Sequence, residues 1–154
     1  MTSLCCKVLE TLKGQTLVTA ESCTGGGIGA ALTKIPGSSE VYKGGVICYT
    51  NWVKEHILGV DRKLLEQYGA VSEPVARHMA LCARSLMKAD VAVSVTGLAG
   101  PGADGYGNDV GTVYIGFSSD RAEIVRRFSF AGDRECVRQH AVEAALNMIL
   151  EYYS

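Results

Sequence analysis

The strongest constraint on the fold is a run of three glycines that follows a short apolar segment after four residues. Residues 16–20, TLVTA, are typical of a short buried strand, and they lead into Glu21-Ser22-Cys23-Thr24-Gly25-Gly26-Gly27. The apolar spacing beyond the glycines predicts a helix over residues 25–34. A strand that turns directly into a helix is typical of layered domains that combine both kinds of element.

The rest of the chain continues this alternation. Further strands are predicted at residues 44–50, 90–96, 111–118 and 123–130. Helices are predicted at residues 3–13, at 52–58 with Asn51 as the N-cap, between Asp61 and Gly69, after Ser72, and from near Asp133 to about Glu151. We summarise the order as αβαβααββα.

This order predicts an α/β (α+β) fold, a single layered domain over residues 1–154 with helices packed on a mixed sheet. Strands that are linked through helices are usually parallel, whereas residues 119–121 predict a hairpin turn and therefore an antiparallel pair. The sheet is expected to contain both arrangements.

Composition excludes several classes of protein. The chain has 15 Lys and Arg against 16 Asp and Glu, so its net charge of -1 argues against a protein built to hold a nucleic-acid backbone. No apolar run is long enough for a membrane helix, and Lys7 and Glu10 interrupt any signal-peptide core. We expect no nucleic-acid or membrane partner, and a cytoplasmic location.

Cysteine and histidine are not arranged as a metal site. The six cysteines contain no Cys-x-x-Cys pair, and the three histidines lie far apart in the sequence. We interpret most of the cysteines as reduced, small core residues, and we expect no metal and no cofactor.

Polar residues follow each of the three strands that are predicted to be parallel. Ser22, Cys23 and Thr24 follow the first strand, Tyr49 to Lys54 the second, and Thr96-Gly97 the third. Because ligands bind at the carboxyl ends of parallel strands, this convergence predicts an enzyme site. The glycines and unpaired helix amides of the ESCTGGG corner could bind a phosphate or an oxyanion, although Ser22 and Thr24 could equally serve only as caps.

The residues allow two nucleophiles. Ser22 could be activated by Lys54, since a lysine in a first helical turn loses its proton readily when it is buried. Cys23 is the rival, as a thiol near a helix N-terminus, but no histidine lies in the three converging segments to serve it. Glu21 could be a base or could orient its neighbours.

The same residues carry a resemblance to a known family. The ESCTGG corner, the Tyr49-x-Asn51-x-x-Lys54 segment and the Thr96-Gly97-Leu98-Ala99-Gly100-Pro101 loop occur in order. Together with VGTVYIGF and AGDRECVRQ, they resemble the CinA C-terminal domain family of nicotinamide mononucleotide deamidases. The resemblance spans about Val8 to Leu150.

The resemblance implies hydrolysis of the carboxamide of nicotinamide mononucleotide, a small-molecule nucleotide substrate, to nicotinate mononucleotide and ammonia in pyridine nucleotide salvage. It implies that Ser22 is the nucleophile, that Lys54 is the base and that Tyr49 and Thr96 assist. It further implies that Arg134 contacts the substrate phosphate or another subunit. The residues that it implies for substrate binding are Cys23, Thr24, Gly25, Gly26, Asn51, Gly97 and Arg134.

One departure from the family pattern concerns the loop before the fourth strand. Members often carry Lys-Pro where this chain has Asn108-Asp109, which exchanges a cation for an anion in a loop expected to overhang the substrate. Two other functions fit the residues, a non-catalytic nucleotide-binding module and a cysteine amidohydrolase that uses Cys23. A hairpin edge strand and a surface site lead us to expect a homo-oligomer.

Overall fold

A computed structural model describes residues 1–153, which form one five-stranded sheet with helices on both faces. The strands are β1 (Leu17–Glu21), β2 (Tyr42–Ile47), β3 (Val91–Gly97), β4 (Thr112–Ser118) and β5 (Glu123–Ser129). The helices are α1 (Thr2–Thr11), α2 (Gly27–Thr33), α3 (Asn51–Val53), α4 (Arg62–Tyr68), α5 (Glu73–Leu86) and α6 (Arg134–Tyr152). A 3-10 turn spans Ser38–Glu40, and a π-helical turn, Lys54–Leu58, continues α3.

The mixed sheet is confirmed. The strand order is β2-β1-β3-β4-β5, with β1 parallel to both β2 and β3, and with β3, β4 and β5 successively antiparallel. The order αβαβααββα is short by one helix and one strand, because α3, α4 and α5 lie between β2 and β3, and three consecutive strands, β3, β4 and β5, precede α6.

The central position of β1 explains its composition. All five of its residues are buried, because α1, α2 and α6 cover one face of the sheet and α4, α5 and the π-helical turn cover the other. A strand that is buried on both faces needs side chains without unpaired polar atoms. Its polar residues, Thr19 and Glu21, are accordingly hydrogen-bonded.

Two boundaries near the carboxyl edge differ from the predictions. β2 ends at Ile47, and Thr50 rather than Asn51 is the N-cap of α3, since the Thr50 hydroxyl accepts a hydrogen bond from the Val53 amide. α2 begins at Gly27 rather than at Gly25, because Gly25 and Gly26 adopt positive φ angles of 59° and 97° in the turn before it.

Candidate active site

The carboxyl ends of β1, β2 and β3 open into one cavity of about 510 Å³. Parallel pairing aligns the three strand ends, so the residues that follow them lie at the same edge. Eight of the predicted site residues line this cavity: Ser22, Cys23, Tyr49, Asn51, Lys54, Thr96, Gly97 and Arg134.

Three predicted site residues do not line this cavity. Thr24 is buried, and its hydroxyl donates a hydrogen bond of 2.7 Å to Glu21 Oε1, while Gly25 and Gly26 form the turn that leads into α2. Thr24, Gly25 and Gly26 are therefore not among the residues that line this cavity, and their part in substrate binding stays a prediction.

Glu21 occupies the N-terminus of α2, where the sequence predicted a possible phosphate-binding corner. Its carboxylate accepts hydrogen bonds from the amides of Ile28 (2.8 Å) and Gly29 (3.1 Å), and only 2% of the residue is exposed. A buried carboxylate at that position satisfies the unpaired amides and the helix dipole. Glu21 thus orients its neighbours, and an anionic ligand has no access to these two donors.

Lys54 and Ser22 are in direct contact at the base of the cavity. Lys54 Nζ lies 2.8 Å from Ser22 Oγ and donates a second hydrogen bond of 2.7 Å to the carbonyl of Cys48. Lys54 is 1% exposed, and burial lowers the pKa of its ammonium below the ordinary lysine value. A neutral amine in this place can accept the proton of the Ser22 hydroxyl while it still donates to Cys48.

Cys23 is a poor candidate for the nucleophile. It is 5% exposed, and burial raises the pKa of its thiol to about 11, so little thiolate exists at neutral pH. Its backbone amide donates to no backbone carbonyl within residues 1–153. An amide directly after a nucleophile can stabilise an oxyanion, so this donor has a possible chemical use in the site.

Tyr49 and Arg134 form the rim of the cavity. Arg134 donates hydrogen bonds of 2.6 Å to the Tyr49 hydroxyl and 2.7 Å to the Gly100 carbonyl, so it ties the end of β2 to the loop after β3. Thr96 lies deeper and is 1% exposed, and its hydroxyl donates to the carbonyl of Ala70 at 2.8 Å. Asn51 is the first residue of α3 and borders the same space.

The loop with the departure from the family pattern does not place Asp109 in the cavity. Asn108 Nδ2 donates to the Val71 carbonyl (2.9 Å) and to Asp104 Oδ2 (2.8 Å), and Asp104 is the carboxylate that lines the cavity. The expected anion over the site is therefore present, but it comes from Asp104, a residue that the sequence reasoning did not consider.

The sequence reasoning also missed Arg138. This residue follows Arg134 by one helical turn of α6, and its guanidinium contacts the carbonyls of Cys23 and Thr24. The spacing of four residues, which places two arginines on the same face of a helix, was the available signal. Within residues 1–153, no group of three or more His, Cys, Asp or Glu side chains could hold a metal ion, and no helix is long and apolar enough to span a membrane.

Known proteins are similar to this chain in both sequence and fold. The nicotinamide-nucleotide amidohydrolase PncC of Escherichia coli strain K12 is 43% identical over 142 residues, which are 92% of this chain and 86% of that protein. A CinA-like protein of Rippkaea orientalis is 45% identical over 88% of this chain, which spans only about a third (33%) of that relative's length.

A crystal structure described as the competence damage-inducible protein A of Klebsiella pneumoniae superposes with a TM-score of 0.95 at 34% identity. The alignment covers 99% of this chain and 98% of that one. Residues 2–153 match the family model described as the CinA C-terminal domain. The chain therefore belongs to the CinA C-terminal domain family.

Proposed function

We propose that this protein hydrolyses the carboxamide of nicotinamide mononucleotide, with Ser22 as the nucleophile and Lys54 as the general base. The observation that carries the proposal is the 2.8 Å contact between Lys54 Nζ and Ser22 Oγ at the base of an open cavity. The printed name of the Escherichia coli relative supports the choice of substrate.

The first half of the reaction forms an ester. Neutral Lys54 takes the proton of the Ser22 hydroxyl as Oγ attacks the carboxamide carbon, and in this proposal the Cys23 amide stabilises the oxyanion. Lys54 then gives the proton to the departing nitrogen, the C–N bond breaks and ammonia leaves. A nicotinoyl ester of Ser22 remains.

The second half of the reaction regenerates the enzyme. Water attacks the ester carbon, and Lys54 accepts one of its protons. When the tetrahedral intermediate collapses, the proton passes from Lys54 to Ser22 Oγ and nicotinate mononucleotide is released. Every proton transfer uses the same nitrogen, and for this reason a histidine is not needed.

Burial of Lys54 also argues against a protein that only binds nucleotides. Removing an ammonium from water without a carboxylate partner is unfavourable, and within residues 1–153 Lys54 has only the Ser22 hydroxyl and the Cys48 carbonyl as hydrogen-bond acceptors. A binding module gains nothing from such an arrangement, whereas a general base needs it.

The test is ammonia release from three pyridine carboxamides: nicotinamide mononucleotide, nicotinamide riboside and free nicotinamide. We expect release from the mononucleotide in a buffer that contains a chelator, because the proposed chemistry needs no Lewis acid. The proposal is wrong if none of the three compounds yields ammonia while the mononucleotide still binds, a result that would favour the binding module.

A further inference from the structure

The turn that carries Ser22 is held from outside the sheet by one side chain of α6. Arg138 Nε donates to the carbonyl of Cys23 at 3.0 Å, and Arg138 Nη2 donates to the carbonyl of Thr24 at 3.2 Å. Residues 22–25 form a tight turn in which the Gly25 amide donates to the Ser22 carbonyl at 3.0 Å. Arg138 therefore binds the carbonyls of both central residues of the turn.

The backbone beside this turn can change conformation at low steric cost, because two glycines follow its central residues. Gly25 and Gly26 adopt φ angles of 59° and 97°, and without a Cβ they permit several backbone conformations. Arg138 binds the carbonyls of Cys23 and Thr24, which directly precede these glycines. A change of conformation at the glycines would move these carbonyls away from Arg138 and would change the backbone on which Ser22 sits.

No other side chain within residues 1–153 binds these two carbonyls, and the Thr24 carbonyl also accepts a hydrogen bond of 3.0 Å from the Gly27 amide. Glu21 binds the Thr24 hydroxyl and the amides of Ile28 and Gly29, so it fixes the start of α2 and the Thr24 side chain. The Cys23 and Thr24 carbonyls accept their side-chain hydrogen bonds from Arg138 alone among residues 1–153. A planar guanidinium with several donors can bind two adjacent carbonyls at once, which a single ammonium does less well.

We propose that Arg138 is a positioning residue that holds the turn at residues 22–25, so that Ser22 Oγ stays within reach of Lys54. Arg138 contacts neither the proposed nucleophile nor the proposed base. Its effect on the reaction passes through the backbone, and this catalytic consequence rests on the proposed function. The mechanical part of the inference, that Arg138 orders the turn, holds whatever the substrate is.

Hydrogen exchange of the wild-type protein, of R138M and of R138K tests the mechanical part. The reporters are the Gly25 and Gly27 amides, which donate within the turn to the carbonyls of Ser22 and Thr24. In R138M we expect these amides to exchange at least about tenfold faster while β3 and β4 stay protected. The matched control is R126M, which removes an arginine paired with Glu151 at 3.0 Å on the surface. Equal exchange at residues 25 and 27 in R138M and the wild type would overturn the inference.

Steady-state kinetics of the same variants test the catalytic part. We expect R138M to lower kcat at least about tenfold, because a small displacement of a nucleophile is costly, and to change KM by less than about threefold. R138K should recover part of kcat, and R126M should match the wild type. A loss confined to KM would make Arg138 a substrate contact, and an unchanged kcat would remove the catalytic role. If the wild type releases no ammonia, the proposed function fails while the exchange data still decide whether Arg138 orders the turn.

Discussion

In the proposed mechanism the chemistry depends on Lys54, because its surroundings oppose the charge that a lysine normally carries. Its side chain is 1% exposed, and within residues 1–153 no carboxylate forms an ion pair with it. Burial therefore lowers its pKa below the ordinary value of 10.5. The sequence indicated a lysine in an early helical turn, but it did not show the burial, which depends on how α3 and the π-helical turn pack beneath the strand ends.

This lowered pKa predicts how stability depends on pH. Between the pKa of Lys54 in the folded protein and its value near 10.5 in the unfolded chain, the unfolded chain binds more protons, so this residue makes stability rise with pH. The stability of K54M should not show this rise with pH. The stability of K54M minus that of the wild type should therefore be greater at neutral pH than at high pH. The measurement is urea unfolding of both proteins at a series of pH values, and two parallel curves would contradict the assignment.

Replacing Lys54 by arginine tests whether this residue acts as a base or only supplies a positive charge. Arginine stays protonated at any workable pH and cannot accept the Ser22 proton, so we expect K54R to lose at least about a thousandfold in kcat, as K54M does. Ammonia release from the mononucleotide is the measurement, with the folded state verified by circular dichroism. Substantial activity in K54R would mean that this position supplies only charge.

At the scale of elements, the N-terminus of α2 depends on Glu21 rather than on a ligand. We expect E21Q to lower the free energy of unfolding by about 1.5–3 kcal/mol, because the hydrogen bonds from two backbone amides to a buried carboxylate lose their charge assistance. The matched control is E10Q on the exposed face of α1, which should change stability by less than about 0.5 kcal/mol. Equal unfolding midpoints for E21Q and E10Q would show that the dipole of α2 needs no anion.

The elements also show which parts of the structure the sequence could predict. The order of strands and helices around Ser22, Lys54 and Thr96 followed from valine-rich segments, glycines and caps, since these signals are local. Two features were not predictable in this way. The burial of Glu21 at α2 requires its side chain to point away from the cavity, and the contact of Arg138 with residues 23 and 24 joins parts of the chain more than 110 residues apart.

At the scale of the whole molecule, we expect the position of Arg134 to govern the preference among substrates. With Glu21 at the N-terminus of α2, Arg134 is the arginine that lines the cavity, and its guanidinium already bridges Tyr49 and Gly100. A lost charge-assisted contact to a phosphate costs about 1.5–3 kcal/mol, which corresponds to about ten- to a hundredfold. We therefore expect the mononucleotide to exceed the riboside in kcat/KM by at least about tenfold, and free nicotinamide to be poorer still.

The variant R134M should bring the ratio of mononucleotide to riboside close to one, chiefly by lowering kcat/KM for the mononucleotide. The comparison is made at one ionic strength, because contacts to a phosphate are screened by salt. A ratio that R134M leaves unchanged would place the phosphate elsewhere, and equal values in the wild type would remove it from recognition. We expect Asp104 to work against the preference for the mononucleotide, since it adds a carboxylate to the same cavity.

The homo-oligomer that the sequence led us to expect stays a prediction.

Ammonia release from nicotinamide mononucleotide by S22A and C23A, side by side, tests the central claim most directly. The two residues are adjacent, buried and part of the same cavity, so they differ in chemistry more than in place. We expect S22A to fold, to bind the mononucleotide and to lose essentially all turnover, and C23A to keep most of it. An active S22A with an inactive C23A would contradict the account, because the nucleophile would then be the thiol rather than the hydroxyl that Lys54 contacts.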